Sequence, residues 1–229
     1  MYPDPILRID VHPFYIGPVS SVATINLPAN LPFYLGVHPR YAIPALILTD
    51  EIETALSDAY SQGSMLSTPL GDSSLSQDRM FEILDNILFL FDGNVKNLNF
   101  LEIGCGSGAL LNEFKKRGAD VMGVEIGPQG QEGAKKFGFR VIDKPFVPGL
   151  VEEKFDCIFS YGCLEHISNL EEFFLASRSC LKDGGLFFHC VPNSEIHFKS
   201  GGLNHLVHQH VNYFCLLYTS PSPRDRTRS

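Results

Sequence analysis

A glycine-rich turn between two hydrophobic segments is the feature that most constrains how this chain folds. A short apolar run, residues 99–103, leads into glycines at alternate positions, and residues 109–116 then place apolar side chains at helical spacing. The three glycines are Gly104, Gly106 and Gly108. Glycine tolerates a sharp bend with positive φ and lets a ligand approach the backbone, and the following helix directs free N–H groups at that bend. The pattern therefore predicts a strand, a ligand-binding turn and a helix.

Two carboxylates beside this turn narrow the class of ligand. Glu102 lies two residues before Gly104, where it would repel the pyrophosphate of a dinucleotide and attract a cation. Glu125 ends the next apolar run, about 20 residues after the first glycine, where an acidic side chain can hold the two hydroxyls of a ribose. A cation site and a ribose site on one turn fit S-adenosylmethionine better than NAD.

The same turn also leaves an alternative open. Gly104, Gly106 and Ala109 satisfy the G-x-G-x-x-G/A pattern of dinucleotide-binding folds. An NAD-dependent dehydrogenase is therefore the alternative from another class of enzyme.

Strand and helix patterns alternate after the turn. Strands are predicted at 121–125, 139–142, 155–160 and 186–191, and helices at 128–137 and 170–181. Such alternation indicates an α/β fold, in which a parallel sheet carries helices on both faces and binds ligands beyond the carboxyl ends of its strands. Asp143 follows the predicted strand 139–142 and is a candidate to contact the adenine edge of the cofactor.

Two short motifs carry a resemblance to a known family. Residues 101–108 resemble the first motif of class I S-adenosylmethionine-dependent methyltransferases, and residues 124–126 resemble their second. The resemblance covers about 95–192 and implies a Rossmann-like sheet. In that family the glycine loop carries the methionine part of the cofactor and the second acidic residue holds the ribose. The residues that the resemblance places at the cofactor are Glu102, Gly104, Cys105, Gly106, Gly108, Glu125 and Ile126.

Residues 155–167 resemble the fourth motif of the same family. In these enzymes the residues after the fourth strand line the methionine end of the cofactor, so the resemblance implies that Tyr161 and His166 lie near the transferable methyl. The triplet Leu164-Glu165-His166 is also typical of O-methyltransferases that act on quinone or phenol precursors.

A histidine-rich segment, residues 204–214, resembles part of the nucleotide-sugar C-methyltransferases. There the residue that matches His210 takes a proton from the carbon beside a sugar ketone, although Val207 and Gln209 depart from the pattern. The favoured function is therefore methylation of a small-molecule acceptor such as a nucleotide sugar, with His210 or His166 as the catalytic base. The alternative within the class is O-methylation of a quinone or phenol precursor.

The same segment raises the question of a metal. His205, His208 and His210 are potential metal ligands, but no carboxylate or thiolate lies nearby in the sequence to complete the set. We therefore predict no metal site, and a base or positioning role for these histidines.

Composition bounds the partners and the compartment. The 229 residues carry a net charge of −8, which disfavours a nucleic-acid partner. No run is long and apolar enough for a membrane span, no signal peptide is evident, and the six cysteines form no C-x-x-C pair, so a cytoplasmic protein with reduced thiols is predicted. The sequence leaves the oligomeric state open.

Three regions are expected along the chain. Residues 1–75 predict an irregular N-terminal lobe with one or two short strands, a helix from Asp50 and a linker, and residues 76–214 predict the methyltransferase domain. Residues 215–229 resemble a translated sequencing-library adapter and are excluded from the fold. The domain is then truncated after Phe214, and the fifth strand is expected to leave an exposed sheet edge and a poorly stable product.

Overall fold

The structure, a computed structural model, describes residues 4–15, 27–61 and 73–215. They form two separate sheets with helices between and around them. None of the helices in these ranges combines the length and the apolar character needed to cross a membrane. The elements in chain order are β1 (Leu7–Pro13), β2 (Asn30–Val37), β3 (Pro44–Leu46), α1 (Asp50–Ser61), α2 (Ser74–Leu90), β4 (Asn99–Ile103), α3 (Ala109–Lys116), β5 (Asp120–Val124), α4 (Pro128–Phe137), β6 (Arg140–Ile142), β7 (Phe155–Tyr161), α5 (Leu170–Cys180), β8 (Leu181–Cys190) and α6 (Ser194–Ser200).

The larger sheet has five parallel strands in the order β6-β5-β4-β7-β8. The strand β4, which carries the glycine turn at its end, lies at the centre, and β5 and β7 flank it. Because the strands are parallel, their carboxyl ends meet at one edge of the sheet, and the strand order reverses between β4 and β7. This arrangement confirms the predicted Rossmann-like fold class.

Hydrophobic cores cover both faces of this sheet, as alternation along β4 requires. Leu101 and Ile103 face the core beneath α5, whereas Phe100 faces the core beneath α2 and α3. Phe100 stacks on Phe114 of α3 with ring centroids 4.7 Å apart. Glu102 shares the side of Phe100 but lies at the strand end, where the aromatic packing stops.

Several predicted boundaries shift in the structure. The helices α3 and α4 have the predicted bounds, but α2 begins at Ser74 because Ser73 and Ser76 form a reciprocal capping box. The sequence suggests a capping box of Asp50 and Glu53 at the start of α1, but the hydroxyl of Thr49 caps this helix by accepting a hydrogen bond from the backbone N–H of Ile52. Side-chain caps of this kind depend on neighbouring residues only. Several serines and threonines lie near these helix starts, so the sequence does not identify which of them forms the cap.

The fifth strand of the large sheet is longer than predicted. The strand β8 begins at Leu181 instead of residue 186. Its pairing with β7 shifts register between Phe155 and Cys157, so residues 182–185 form a bulge. In the part of the chain that the structure describes, β7 is the strand that pairs with β8, so β8 lies at the sheet edge as expected.

The N-terminal region forms an antiparallel sheet of three strands, β1-β2-β3, one more than expected. The predicted strand-like residues 22–26, residues 64–72 of the predicted linker 64–76, and the tail beyond Cys215 lie outside the described residues, while the end of that linker forms the start of α2. The segment that follows α6 returns to this sheet: the N–H of Leu46 donates to the carbonyl of Val211 and the N–H of Tyr213 to that of Pro44, both at 2.9 Å. The N-terminal sheet and the histidine-rich segment are therefore packed as one unit.

Candidate active site

A cavity of about 920 Å³ opens at the carboxyl ends of the parallel strands. The ends of β4, β5, β7 and β8 form its floor, while α1, α2 and the histidine-rich segment form its walls. This is where a parallel α/β sheet binds ligands. The cavity joins the glycine turn at one side to Glu165, His166 and His210 at the other.

The glycine turn is shaped by positive φ angles and close contacts. Gly104 and Gly106 have φ values of 72° and 51° and both line the cavity. A Cβ on Gly104 would lie 2.9 Å from the Cβ and Sγ of Cys163, so the turn has no room for a side chain there. The helix α4 packs equally closely against the turn, since a Cβ on Gly133 would lie 2.0 Å from the carbonyl oxygen of Ser107.

Two other predicted contacts of the turn differ in environment. Cys105 is buried and lines the cavity. Gly108 precedes α3 with φ of 71°, lies outside the cavity lining, and packs against the ring of Phe139. The third glycine therefore supports the packing of the turn, whereas the first two face the cavity.

Glu125 fastens the turn from the end of β5. One carboxylate oxygen accepts a hydrogen bond from the N–H of Gly106 at 2.9 Å, and the other accepts one from Gly127 at 2.7 Å and one from the amide of Gln129 at 3.2 Å. Burial raises the pKa of Glu125, while these backbone N–H groups oppose that rise. These donors hold the carboxylate of Glu125 against the turn, at the edge of the cavity that it lines.

Glu102 is the most deeply buried acid of the site. Its side chain is 2% exposed, it lines the cavity, and its Oε2 has no hydrogen-bond partner among the described residues. Burial and the nearby charge of Glu125 raise the pKa of Glu102 well above its usual value. A buried carboxyl with an unused oxygen beside a glycine turn is suited to a cationic or hydrogen-bond-donating ligand.

The remaining predicted cofactor residues lie at three different depths. Ile126 lines the cavity with 45% of its surface exposed, and Tyr161 lines it as a half-buried residue at the end of β7. Asp143 is exposed after β6 and is not among the residues that line the cavity.

The far side of the cavity brings together one carboxylate and two imidazoles. Glu165 and His166 belong to a short 3₁₀ turn after β7, and His210 comes from the histidine-rich segment. The rings of His166 and His210 have centroids 5.2 Å apart, and one ligand atom from each of the three residues lies within 4.8 Å of the other two. We call this group the Glu165-His166-His210 cluster.

Backbone and side-chain hydrogen bonds position the cluster. The carbonyl of Glu165 accepts from the N–H groups of Val211 and Asn212 at 2.8 and 2.9 Å. Nδ1 of His166 lies 2.5 Å from the carbonyl of Gln209 and 3.2 Å from the hydroxyl of Tyr60 in α1. These bonds connect the turn after β7, the histidine-rich segment and the helix α1 at the same point.

Burial shifts the protonation of all three members. It lowers the pKa of His166 to about 4 and, with the neighbouring His166, lowers the pKa of His210 to about 3. It also raises the pKa of Glu165 to about 7. Both imidazoles are therefore neutral near pH 7 and have a lone pair available as a base or a ligand.

The other two histidines of the segment do not join the cluster. His208 is fully buried toward the N-terminal sheet, where its Nε2 lies 3.1 Å from the carbonyl of Pro32 and its ring contacts Phe14 and Phe33. Nε2 of His205 pairs with the hydroxyl of Ser194 at 3.0 Å. Neither residue lines the cavity in the described structure.

Sequence reasoning missed Glu165 as a functional residue. The search for a carboxylate near the histidines considered only sequence neighbours, whereas Glu165 lies 45 residues before His210. The triplet Leu164-Glu165-His166 was the available signal, but nothing in it showed that the tail returns to this turn.

The fold, the glycine turn and the paired acids together define a nucleoside-binding α/β protein. A family model described as a methyltransferase domain matches residues 76–217, which is more than half of the chain. The chain therefore belongs to this methyltransferase domain family, which confirms the resemblance of the motifs. The match supports S-adenosylmethionine as the cofactor and favours a methyltransferase over the NAD-dependent dehydrogenase.

Curated relatives match over a part of their length. The ubiquinone biosynthesis O-methyltransferase of Pelagibacter ubique (strain HTCC1062) is 30% identical over 111 residues, which cover 46% of this chain and 46% of the relative. The enzyme of the same name from Brucella ovis is 32% identical over 116 residues, 48% of this chain and 46% of the relative. The chain spans about half the length of the curated relatives it matches.

Solved structures share the fold. The PH0226 protein from Pyrococcus horikoshii OT3 superposes with a TM-score of 0.51 at 20% identity, over 58% of this chain and 65% of that one. The N-methyltransferase NodS from Bradyrhizobium japonicum WM9, crystallised with S-adenosyl-L-homocysteine, gives a TM-score of 0.47 at 19% identity, over 58% of this chain and 69% of that one.

We predict that Glu102→Gln stabilises the cofactor-free protein more as the pH rises. Since the pKa of Glu102 is raised in the fold, the folded chain keeps a proton that the unfolded chain loses above its own pKa, so this acid reduces stability progressively with pH. At pH 8 the variant should gain about 1 kcal/mol, or a melting temperature higher by about 2–4 °C, and the gain should shrink toward pH 5. Thermal melts across this range measure the difference.

Glu113→Gln is the matched control for this measurement. Burial alone would raise the pKa of Glu113, but Lys116 and Arg117 hold it below its usual value, so its carboxylate stabilises the fold above the unfolded pKa. This variant should therefore lose stability at pH 8. A difference between wild type and Glu102→Gln that does not change with pH would refute the buried-charge account of Glu102.

Proposed function

We propose that this protein transfers a methyl group from S-adenosylmethionine to a hydroxyl of a small, uncharged aromatic acceptor such as a phenol or quinol. The observation that carries the proposal is the single cavity that joins the glycine turn to the Glu165-His166-His210 cluster. One end has the features of a cofactor site, and the other presents proton-accepting groups.

Residues of the turn are suited to hold the cofactor. Gly104 and Gly106 provide backbone that no side chain of their own shields, and Glu125, which lines the cavity at the end of β5, is placed where an acidic side chain can hold a ribose hydroxyl. The unpartnered Oε2 of Glu102 suits the cationic part of the molecule. We assign supporting roles to Cys105, Ile126 and Tyr161, which line the same cavity, to Gly108 through its packing, and to Asp143 as the residue at the adenine edge.

The charge of the cavity favours an uncharged acceptor. The described lining residues include more acids than bases: Glu53, Glu102, Glu125, Glu165 and Glu172 against Arg79 and Lys144. The diphosphate of a nucleotide sugar would meet more carboxylates than cations, and in a partly buried site this repulsion is poorly screened. Apolar and aromatic side chains such as Leu56, Tyr60 and Phe173 also line the cavity and suit an aromatic ring.

The names of the curated relatives agree with this class of acceptor. The matching enzymes of Pelagibacter and Brucella are O-methyltransferases of ubiquinone biosynthesis. On this basis we propose that the acceptor group of the present chain is also a hydroxyl on a ring.

Two steps are asked of the protein, alignment and proton removal. S-adenosylmethionine supplies a methyl group on a positively charged sulfur, which a nucleophile can displace in line. The cavity holds donor and acceptor side by side and excludes bulk water, which supplies much of the rate enhancement in such displacements. His210 is placed to take the hydroxyl proton, since its ring is neutral and its Nδ1 has no hydrogen-bond partner among the described residues.

Methylation of a nucleotide sugar is the second candidate function. It is favoured by the position of His210 in the cavity, which is the role implied by the resemblance of residues 204–214 to the C-methyltransferases. The acidic lining opposes it.

We expect S-adenosylhomocysteine, but not NAD, to bind the purified chain in a calorimetric titration. Glu125→Ala should weaken this binding by about 10-fold to 100-fold, because hydrogen bonds to a charged group contribute about 1.5–3 kcal/mol. Glu132→Ala, which removes an exposed acid of the neighbouring helix, should leave the affinity unchanged. Tighter binding of NAD than of S-adenosylhomocysteine would overturn the assignment of the cofactor.

We expect methyl-labelled S-adenosylmethionine to label catechols or hydroquinones and not nucleoside diphosphate sugars. Mass spectrometry of the product locates the new methyl group on oxygen or carbon. Label found on a sugar carbon would instead establish the second candidate function.

We predict that His210→Ala lowers kcat by about 100-fold or more while the affinity for S-adenosylhomocysteine stays the same. Removing a general base commonly reduces the rate by about 10²–10⁴-fold. His38→Ala is the control, because this histidine lies outside the cavity lining. Unchanged turnover of His210→Ala would exclude His210 from proton removal.

A further inference from the structure

We propose that the Glu165-His166-His210 cluster is a binding site for a divalent transition metal such as Zn²⁺. The inference revises the sequence-based prediction that no metal site exists. That prediction rested on the lack of a carboxylate near the histidines in sequence, and the fold supplies one from a different segment.

The geometry of the three side chains is that of a compact ligand set. One ligand atom from each residue lies within 4.8 Å of the other two, and Nε2 of His166 lies 3.9 Å from Oε1 of Glu165. Ligand atoms that bind one Zn²⁺ at about 2.0–2.2 Å are roughly 3–4 Å from one another. Side-chain rotations that move the ligand atoms by about 1 Å would therefore bring the three residues to these separations. Two imidazoles and one carboxylate are a common set for a metal that keeps a coordination position open.

Unused polar atoms are the second, independent observation. Glu165 is 3% exposed and its Oε2 has no hydrogen-bond partner among the described residues; the same holds for the buried Nδ1 of His210. Leaving two such atoms unpaired in one cavity is unfavourable by about 1–3 kcal/mol each, whereas a bound cation would satisfy both.

The surroundings of His166 are those of a metal-binding histidine. Its Nδ1 contacts the carbonyl of Gln209 at 2.5 Å, which fixes the proton on that nitrogen and leaves the lone pair of Nε2 for a metal. The carbonyl of Glu165 accepts hydrogen bonds from two N–H groups of the histidine-rich segment. These bonds fix the position of His210 relative to Glu165 and His166.

A metal at this position would act on the acceptor. The cluster lines the same cavity as the glycine turn, and an open coordination position there would take the acceptor hydroxyl and favour loss of its proton. The metal would use the lone pair of His210 that otherwise serves as the base, so the two roles are alternatives for one nitrogen. The metal site rests on the proposed function only for this role in the reaction, and its existence is tested without turnover.

The test is a Co²⁺ titration of the full chain after dialysis against a chelator. We expect one Co²⁺ to bind per chain and to give the visible absorption bands that are typical of Co²⁺ with four ligands in a near-tetrahedral arrangement. Zn²⁺ should displace the Co²⁺ and abolish these bands. His210→Ala and Glu165→Gln should each weaken Co²⁺ binding by 10-fold or more, while His38→Ala, which removes a histidine outside the cavity lining, should not.

Circular dichroism and S-adenosylhomocysteine binding show whether each variant still folds. His210→Gln, which keeps a polar side chain of similar size, replaces His210→Ala if that variant unfolds. Absence of the absorption bands, or bands that persist unchanged in folded His210 and Glu165 variants, would overturn the metal site. Retained S-adenosylhomocysteine binding in the metal-free chain would at the same time leave the proposed function standing.

Discussion

The structure depends on two acids being held out of water at the end of a parallel sheet. Glu102 and Glu125 end neighbouring strands, and the parallel register forces their side chains toward the same turn. Burial disfavours the charged form of both acids and raises the pKa of each, and the two acids together raise the pKa of Cys105. The fold tolerates this because the hydrophobic cores on both faces of the sheet are large. The same strands therefore carry both the hydrophobic cores, which stabilise the fold, and the two buried acids, which destabilise it.

A second constraint comes from the chain segments that close the cavity. The N-terminal sheet and the histidine-rich segment are distant in sequence, yet backbone hydrogen bonds join the sheet to this segment and the segment to Glu165 in the turn after β7. His208 anchors this unit within the N-terminal sheet, which leaves His210, two residues later, on the opposite side and in the cavity. A turn closed by the hydrogen bond from the N–H of His210 to the carbonyl of Val207 lies between the two histidines, so their side chains reach different surroundings.

Local patterns predicted much of the fold and the cofactor end of the site. The bounds of α3 and α4 followed from helical periodicity, and the sequence placed Glu102, Glu125, Gly104 and Gly106 at the carboxyl ends of neighbouring strands, where they line the cavity. The third strand of the N-terminal sheet, the bulge in β8 and the approach of Glu165 to His210 were not predictable in this way. Each of these depends on pairing between distant segments, and such pairing leaves little trace in the periodicity of either segment.

The hydrogen bonds of Glu125 have a consequence for how the turn meets its ligand. With its carboxylate already joined to Gly106 and Gly127, the turn has its shape before anything binds. Little conformational entropy is then lost on association, so a weakly interacting small molecule can still be retained. Under the proposed function, the same rigidity means that a spent methyl donor could be exchanged for a fresh one without rebuilding the loop.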